Sequence, residues 1–275
     1  MLDILNSLLN SVFGVLFFLF KKLDPFWGML VISLVTGIVM LFVFKATSDQ
    51  KGIKRAKNLV KGHFLAIRLY RDDIGLMFDT MKNIILSNLF YLSKSFRPML
   101  FLLVPVSLIL IQLGSRYEWR PFKVGETIIV SLNLADAGAD VDLSRVELAL
   151  PTGLKIDIPP VRINDPKEIN WRMTALEPGE YDLTFKYDDR TVSKRLYVEG
   201  DLISIASNIG RSFSVTLMNP GEKSIPKPSF ASAIAVRYPK RDFHLFGFEV
   251  HWLVAFFVLS LIAAFSFKGF LGVEV

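Results

Sequence analysis

Five cations, Lys51, Lys54, Arg55, Lys57 and Lys61, fall between positions 51 and 61. On a helix this is about three turns. Near an anionic leaflet each such cation contributes about 1 kcal/mol, an attraction that salt screens. The chemistry implied is attraction of lipid headgroups or of an acidic partner segment. A second set of polar groups, Ser33, Thr36 and Ser107, lies inside long uncharged stretches. Hydroxyls there either let helices pack closely or make a cleft amphiphilic enough to pass a polar segment into lipid.

Other chemistries have no residues to carry them. There is no Cys, so disulfides and thiolate metal sites are excluded. His63, His244 and His251 are too scattered for a ligand set. Gly221-Glu222-Lys223-Ser224 lacks the glycine spacing and the Gly-Lys pair of a phosphate-binding loop. No nucleophile elbow or zinc-protease helix is present. Carboxylates downstream of position 115 are balanced by bases, and Asp188-Asp189 reads as a turn. No charged residue sits inside an apolar stretch to mark an ion path. The expectation is a protein without enzymatic activity, cofactor or metal.

The elements that position these residues are membrane helices. Three runs carry no Asp, Glu, Lys or Arg: 25–44, 98–115 and 250–267. A helix rises about 1.5 Å per residue, so runs of this length approach the roughly 30 Å of a bilayer core. Between Lys45 and Arg97 there are 11 Lys/Arg against 4 acids; between Ser115 and Glu249 there are 18 against 19. Positive charge accumulates in short cytoplasmic loops. The reading is a bacterial inner-membrane protein with its N-terminus out and C-terminus in, loop 45–97 inside, and 115–249 periplasmic or extracellular. Flanked by spans, the basic loop implies topology and anionic lipid rather than specific nucleic-acid binding.

Residues 1–24 form an amphipathic helix lying in the interface, with Asp3, Asn6, Ser7, Asn10 and Gly14 on one face; a fourth span is the alternative. Lys21, Lys22, Asp24 and Pro25 break it from the next helix. Within the spanning region 25–116, loop 45–97 reads as two amphipathic helices, 49–71 and 76–94, joined by a turn at Arg71-Asp72-Asp73. The second is more apolar than a two-helix hairpin can cover. Pro98 suits the first turn of the following span, and Pro105 predicts a kink within it. The C-terminal span and its short tail occupy 250–275.

Residues 117–199 alternate apolar and polar: TIIVSLNL, RVELALP, LKIDIP, EINWRM, YDLTFKY and TVSKRLYVEG predict strands of an immunoglobulin-like β-sandwich. Leu176 to Tyr181 looks like a tyrosine corner. In 200–249 the segments 203–210, 213–218 and 233–239 read either as strands or as a membrane-hugging stretch.

Residues 1–116 resemble the YidC/Oxa/Alb membrane insertases: an interfacial helix, then Trp27-Gly28 opening a span, a basic cytoplasmic hairpin at 49–94, and a Pro-containing span from Pro98 to Gly114. The family's bacterial members carry an Arg in the first core span; here no Arg or Lys occurs between Asp24 and Lys45, a departure from the family pattern. The resemblance implies an insertase or membrane chaperone, with membrane lipids, other membrane proteins, and the ribosome or a nascent chain as partners. The alternative is a non-catalytic subunit of an envelope complex, docking partners through its sandwich and its hairpin.

Overall fold

The structure, a computed structural model, describes residues 2–18, 20, 24–69, 74–135, 142–245 and 247–274. The expected break at Lys21 and Lys22 and the turn residues Arg71, Asp72 and Asp73 lie outside them. In chain order the elements are helices α1 (Leu2–Phe18), α2 (Pro25–Thr47), α3 (Gln50–Leu69) and α4 (Ile74–Tyr117), then strands β1 (Thr127–Leu134), β2 (Glu147–Ala149), β3 (Leu154–Asn164), β4 (Lys167–Ala175), β5 (Gly179–Tyr187), β6 (Arg190–Val198) and β7 (Asn208–Gly210). Helix α5 (Phe213–Met218), strands β8 (Ala231–Val236), β9 (His244–Leu245) and β10 (Phe248–Glu249), and helix α6 (Trp252–Phe267) follow.

Two of these helices are long and apolar enough to cross a membrane: α2, and α4 over Phe78–Tyr117. Helix α6 is as apolar but has 16 residues, about 24 Å of rise. The hairpin's second helix and the following span are one 44-residue helix, α4, containing both Pro98 and Pro105. The break anticipated near Pro98 is absent. A proline removes one backbone donor from the ladder, and a long apolar helix keeps the rest.

The chain divides into two compact units, Met1–Gly28 with Ile109–Trp252, and Met29–Leu108 with Leu253–Val275. In the first, a five-stranded sheet of order β3-β4-β1-β8-β7 and a three-stranded sheet β2-β5-β6 enclose one core in a sandwich-like arrangement. Ile128, Val130 and Leu132 of β1 alternate inward, meeting Leu183, Phe185 and Leu196. Trp171 of β4 packs edge-on against Phe185 of β5 with ring centroids 5.3 Å apart. The Tyr181 hydroxyl donates to the Glu177 carbonyl at 2.8 Å, the bond a tyrosine corner makes.

The segment the sequence leaves open, 200–249, belongs partly to this sheet. Strand β8 pairs antiparallel with β1, and β7 pairs with β8. Residues 213–218, read as a strand or a membrane-hugging stretch, form helix α5 and not a strand. Ser212 caps it, its Oγ accepting from the Val215 N–H at 3.3 Å. Strand β3 extends past its expected end through Pro159 and Pro160, with register shifts between Ile156 and Val161. It is an edge strand, where missing amide donors are tolerated.

Helix α1 packs on the same unit through Asn6, Phe13 and Phe17. Asn6 is buried and donates its amide to the Thr216 carbonyl at 2.9 Å, and Asn10 donates to Pro220. Leu8, Val12, Val15, Leu16 and Phe18 are exposed.

Candidate functional site

The basic residues are carried by α3. Its N-terminus is fixed by Asp49, whose carboxylate accepts from the Gly52 N–H at 2.9 Å and pairs with Lys94 at 3.1 Å. The Gly52 amide first, and Lys94 second, hold the Asp49 carboxyl below its ordinary range. Lys51, Lys54, Arg55 and Lys61 project as exposed cations. Lys57 is half-buried and paired with Glu274 at 3.3 Å. Four of the five are thus available to an anionic partner, and the fifth anchors the C-terminal tail.

The apolar side of the hairpin is left bare. Phe64, Leu65 and Leu69 of α3, and Phe78, Met81, Ile85, Leu89 and Leu92 of α4, are all exposed. Mutual packing of the two helices does not cover them, as the composition of α4 suggested. The two helices therefore offer exposed cations on α3 and uncovered aliphatic surface on both, a combination suited to an acidic amphipathic segment or a lipid surface.

The three candidate groove hydroxyls fare differently. Ser33 is fully buried, Thr36 nearly so, and Ser107 is exposed. The Ser33 Oγ has no hydrogen-bond partner among the described residues. A side chain enclosed on every side lines no open cleft. Ser33 and Thr36 instead share a helix face with Gly37, where α6 comes so close that a Cβ on Gly37 would lie 2.5 Å from the Ser260 carbonyl oxygen and 3.0 Å from the Ala263 Cβ. Small residues at such a crossing let two apolar helices touch along their backbones. Of the two readings of these hydroxyls, the burial of Ser33 and Thr36 fits close helix packing.

Two buried cations escaped the sequence reading. Arg116, 4% exposed, ends α4; its guanidinium donates to the Gln112 carbonyl at 3.0 Å and to Gln112 Oε1 at 2.9 Å, and lies 5.0 Å from the Phe17 ring centre. The i, i+4 spacing to Gln112 was its only signal. Lys194 of β6 is wholly enclosed; its ammonium donates to the Ala206 carbonyl at 2.6 Å and pairs with Glu222. Burial pushes the Lys194 amine below its ordinary value, against the pull of Glu222. Its signal was present: it stands on the same strand face as Val192 and Leu196, both inward. Among the described residues no group of three His, Asp or Glu converges as a metal-binding set would.

Comparison with protein-family models and with curated proteins returns no match. The functional reading therefore rests on the residues themselves.

Proposed function

We propose that the chain is a membrane-anchored insertase or chaperone of the YidC-like kind, assisting insertion or assembly of other membrane proteins. The observation that carries this is the bare apolar face of α3 and α4 beside the α3 cations, on a hairpin that leads from one long apolar helix into another. Exposed aliphatic surface of that extent is rare unless a partner or lipid covers it. In this reading α2, the apolar part of α4, and α6 are three spans, the short α6 thinning the bilayer around it. The charge asymmetry favours 45–97 in the cytoplasm and the immunoglobulin-like sandwich outside. Helix α1 rests in the interface, its asparagines held by the protein and its exposed Leu8, Val12, Val15 and Phe18 in lipid.

A second reading is a non-catalytic subunit of an envelope complex. The enclosed Ser33 and the absence of Lys or Arg between Asp24 and Lys45 favour it, because they leave no polar path along α2. Purification in mild detergent separates the two: ribosomes and varied clients for an insertase, one stoichiometric set for a subunit. The docking face is tested by Ile85→Ser with Leu89→Ser, two exposed neighbours one turn apart. Co-purified partners should fall several-fold at unchanged stability, and the five-cation Gln variant (Lys51, Lys54, Arg55, Lys57, Lys61) should lose them too. Partners retained by both variants would sink the docking role. For topology, an impermeant thiol reagent should label a Cys at position 189 and not at 75 in intact cells; the opposite pattern inverts the orientation.

A further inference from the structure

The C-terminal tail does not trail away from α6 but folds back onto the corner between α2 and α3. The Val273 N–H bonds to the Lys268 carbonyl at 3.0 Å, and Gly272 takes the left-handed φ of 58° that the reversal needs. Three further contacts fasten it: the Lys45 ammonium donates to the Leu271 carbonyl at 2.6 Å, the Glu274 N–H donates to Gln50 Oε1 at 2.7 Å, and Lys57 pairs with Glu274. The folded tail and the first turns of α3 flank an open pocket of about 550 Å³. Four lysines line it, Lys51, Lys54, Lys57 and Lys268, against one carboxylate, Glu274, which Lys57 already neutralises. Lys51, Lys54 and Lys268 have no carboxylate within ion-pair distance among the described residues. The cavity along α3 beside Leu59 and His63 is lined by that helix alone and has no second wall.

We propose that the α2–α3–tail corner binds the phosphate headgroup of an anionic phospholipid, held by Lys51, Lys54 and Lys268. The inference rests on the membrane reading above. Charge complementarity selects an anion. Two features select a lipid over a free anion. Phe270, in the middle of the tail beside the cavity, is 89% exposed, an aromatic ring that water disfavours and an acyl layer accepts. Lys45 and Lys268 stand at the ends of two apolar helices, α2 and α6, where lysines reach toward a headgroup layer.

The full-length chain in nanodiscs of phosphatidylcholine with phosphatidylglycerol provides the test, by native mass spectrometry of retained lipid. The parent should keep phosphatidylglycerol in clear excess over its share of the disc. Lys54→Gln with Lys268→Gln should reduce that excess several-fold, while Lys82→Gln with Arg97→Gln, an equal loss of charge elsewhere on the same unit, should preserve it. Equal loss in both double variants would overturn the site in favour of general electrostatics. Displacement of the lipid by millimolar inorganic phosphate alone would overturn the lipid assignment. Carbonate extraction of membranes keeps the two levels apart. A chain released by carbonate overturns the membrane reading; a chain retained but without lipid preference overturns the site only.

Discussion

Lys194 and Glu222 form an ion pair 28 residues apart in sequence, with the lysine side chain wholly buried and the glutamate 9% exposed. The pair joins β6 to the loop before β8, and the second Glu222 oxygen accepts from the Arg195 N–H at 3.0 Å. Taking two charges out of water costs several kcal/mol, which mutual attraction and the Ala206 carbonyl offset only while both partners remain. Glu222→Ala should therefore destabilise the protein by about 3 kcal/mol or more, since it strands an ammonium in the core. Lys194→Met with Glu222→Leu should cost distinctly less than that single change. Chemical denaturation of the parent and the two variants decides it; a double variant as damaged as Glu222→Ala would mean that removing the pair costs as much as breaking it.

Gly37 predicts a different kind of sensitivity. A methyl group there meets backbone, the Ser260 carbonyl oxygen, which cannot rotate away. Gly37→Ala should lower the thermal midpoint of the detergent-solubilised chain, in line with the about 1–3 kcal/mol typical of overpacking. Gly62→Ala on α3, where a new Cβ meets nothing within 4 Å, should be neutral or stabilising by up to about 1 kcal/mol from helix propensity. Equal midpoints for the two variants would mean that α2 and α6 are not pressed together at Gly37.

Acid should loosen the start of the sheet unit through Glu126. Its carboxylate is gripped by both Arg120 guanidinium nitrogens at 2.8 and 2.9 Å and accepts from the Lys123 N–H at 2.9 Å. The Arg120 hydrogen bonds, first, and the Lys123 amide lower its pKa to about 2 from an ordinary 4.5. A depressed carboxylate stabilises the fold above its unfolded pKa and loses that contribution as pH falls through the folded value. Glu126→Gln should therefore be less stable than the parent at pH 7. The gap should narrow between about pH 4.5 and pH 2 and close below. A gap independent of pH would show that the geometry, not the charge, is what matters.

Period-two alternation located β1, β2, β4, β5 and β6 to within a few residues, because alternate residues of these strands face a shared core; β3, mostly exposed beyond Leu154, runs past its expected end. Strand β7 is three residues long and α5 six, too short for either periodicity to register. Their placement depends on β8 returning to β1 across about 100 residues, a pairing no local pattern announces. The tail shows the same limit. Lys268 and Glu274 carry no motif, and only folding back onto Gln50 and Lys57 gives them a role. The α3 cations were legible by charge alone; the enclosure of Ser33 was not, since a hydroxyl in an apolar run reads alike whether it faces a cleft or a neighbouring helix.

The hydrogen bond from Asn6 to the Thr216 carbonyl spans 210 residues of sequence. At about 5–20 residues per second, a ribosome makes the acceptor roughly 10–40 s after the donor. Throughout that interval the Asn6 and Asn10 amides lack their folded partners, and Phe13 and Phe17 lack the contacts that later bury them. The final seat of α1 is therefore decided only once Thr216 and Pro220, which accept from its asparagines, have been translated.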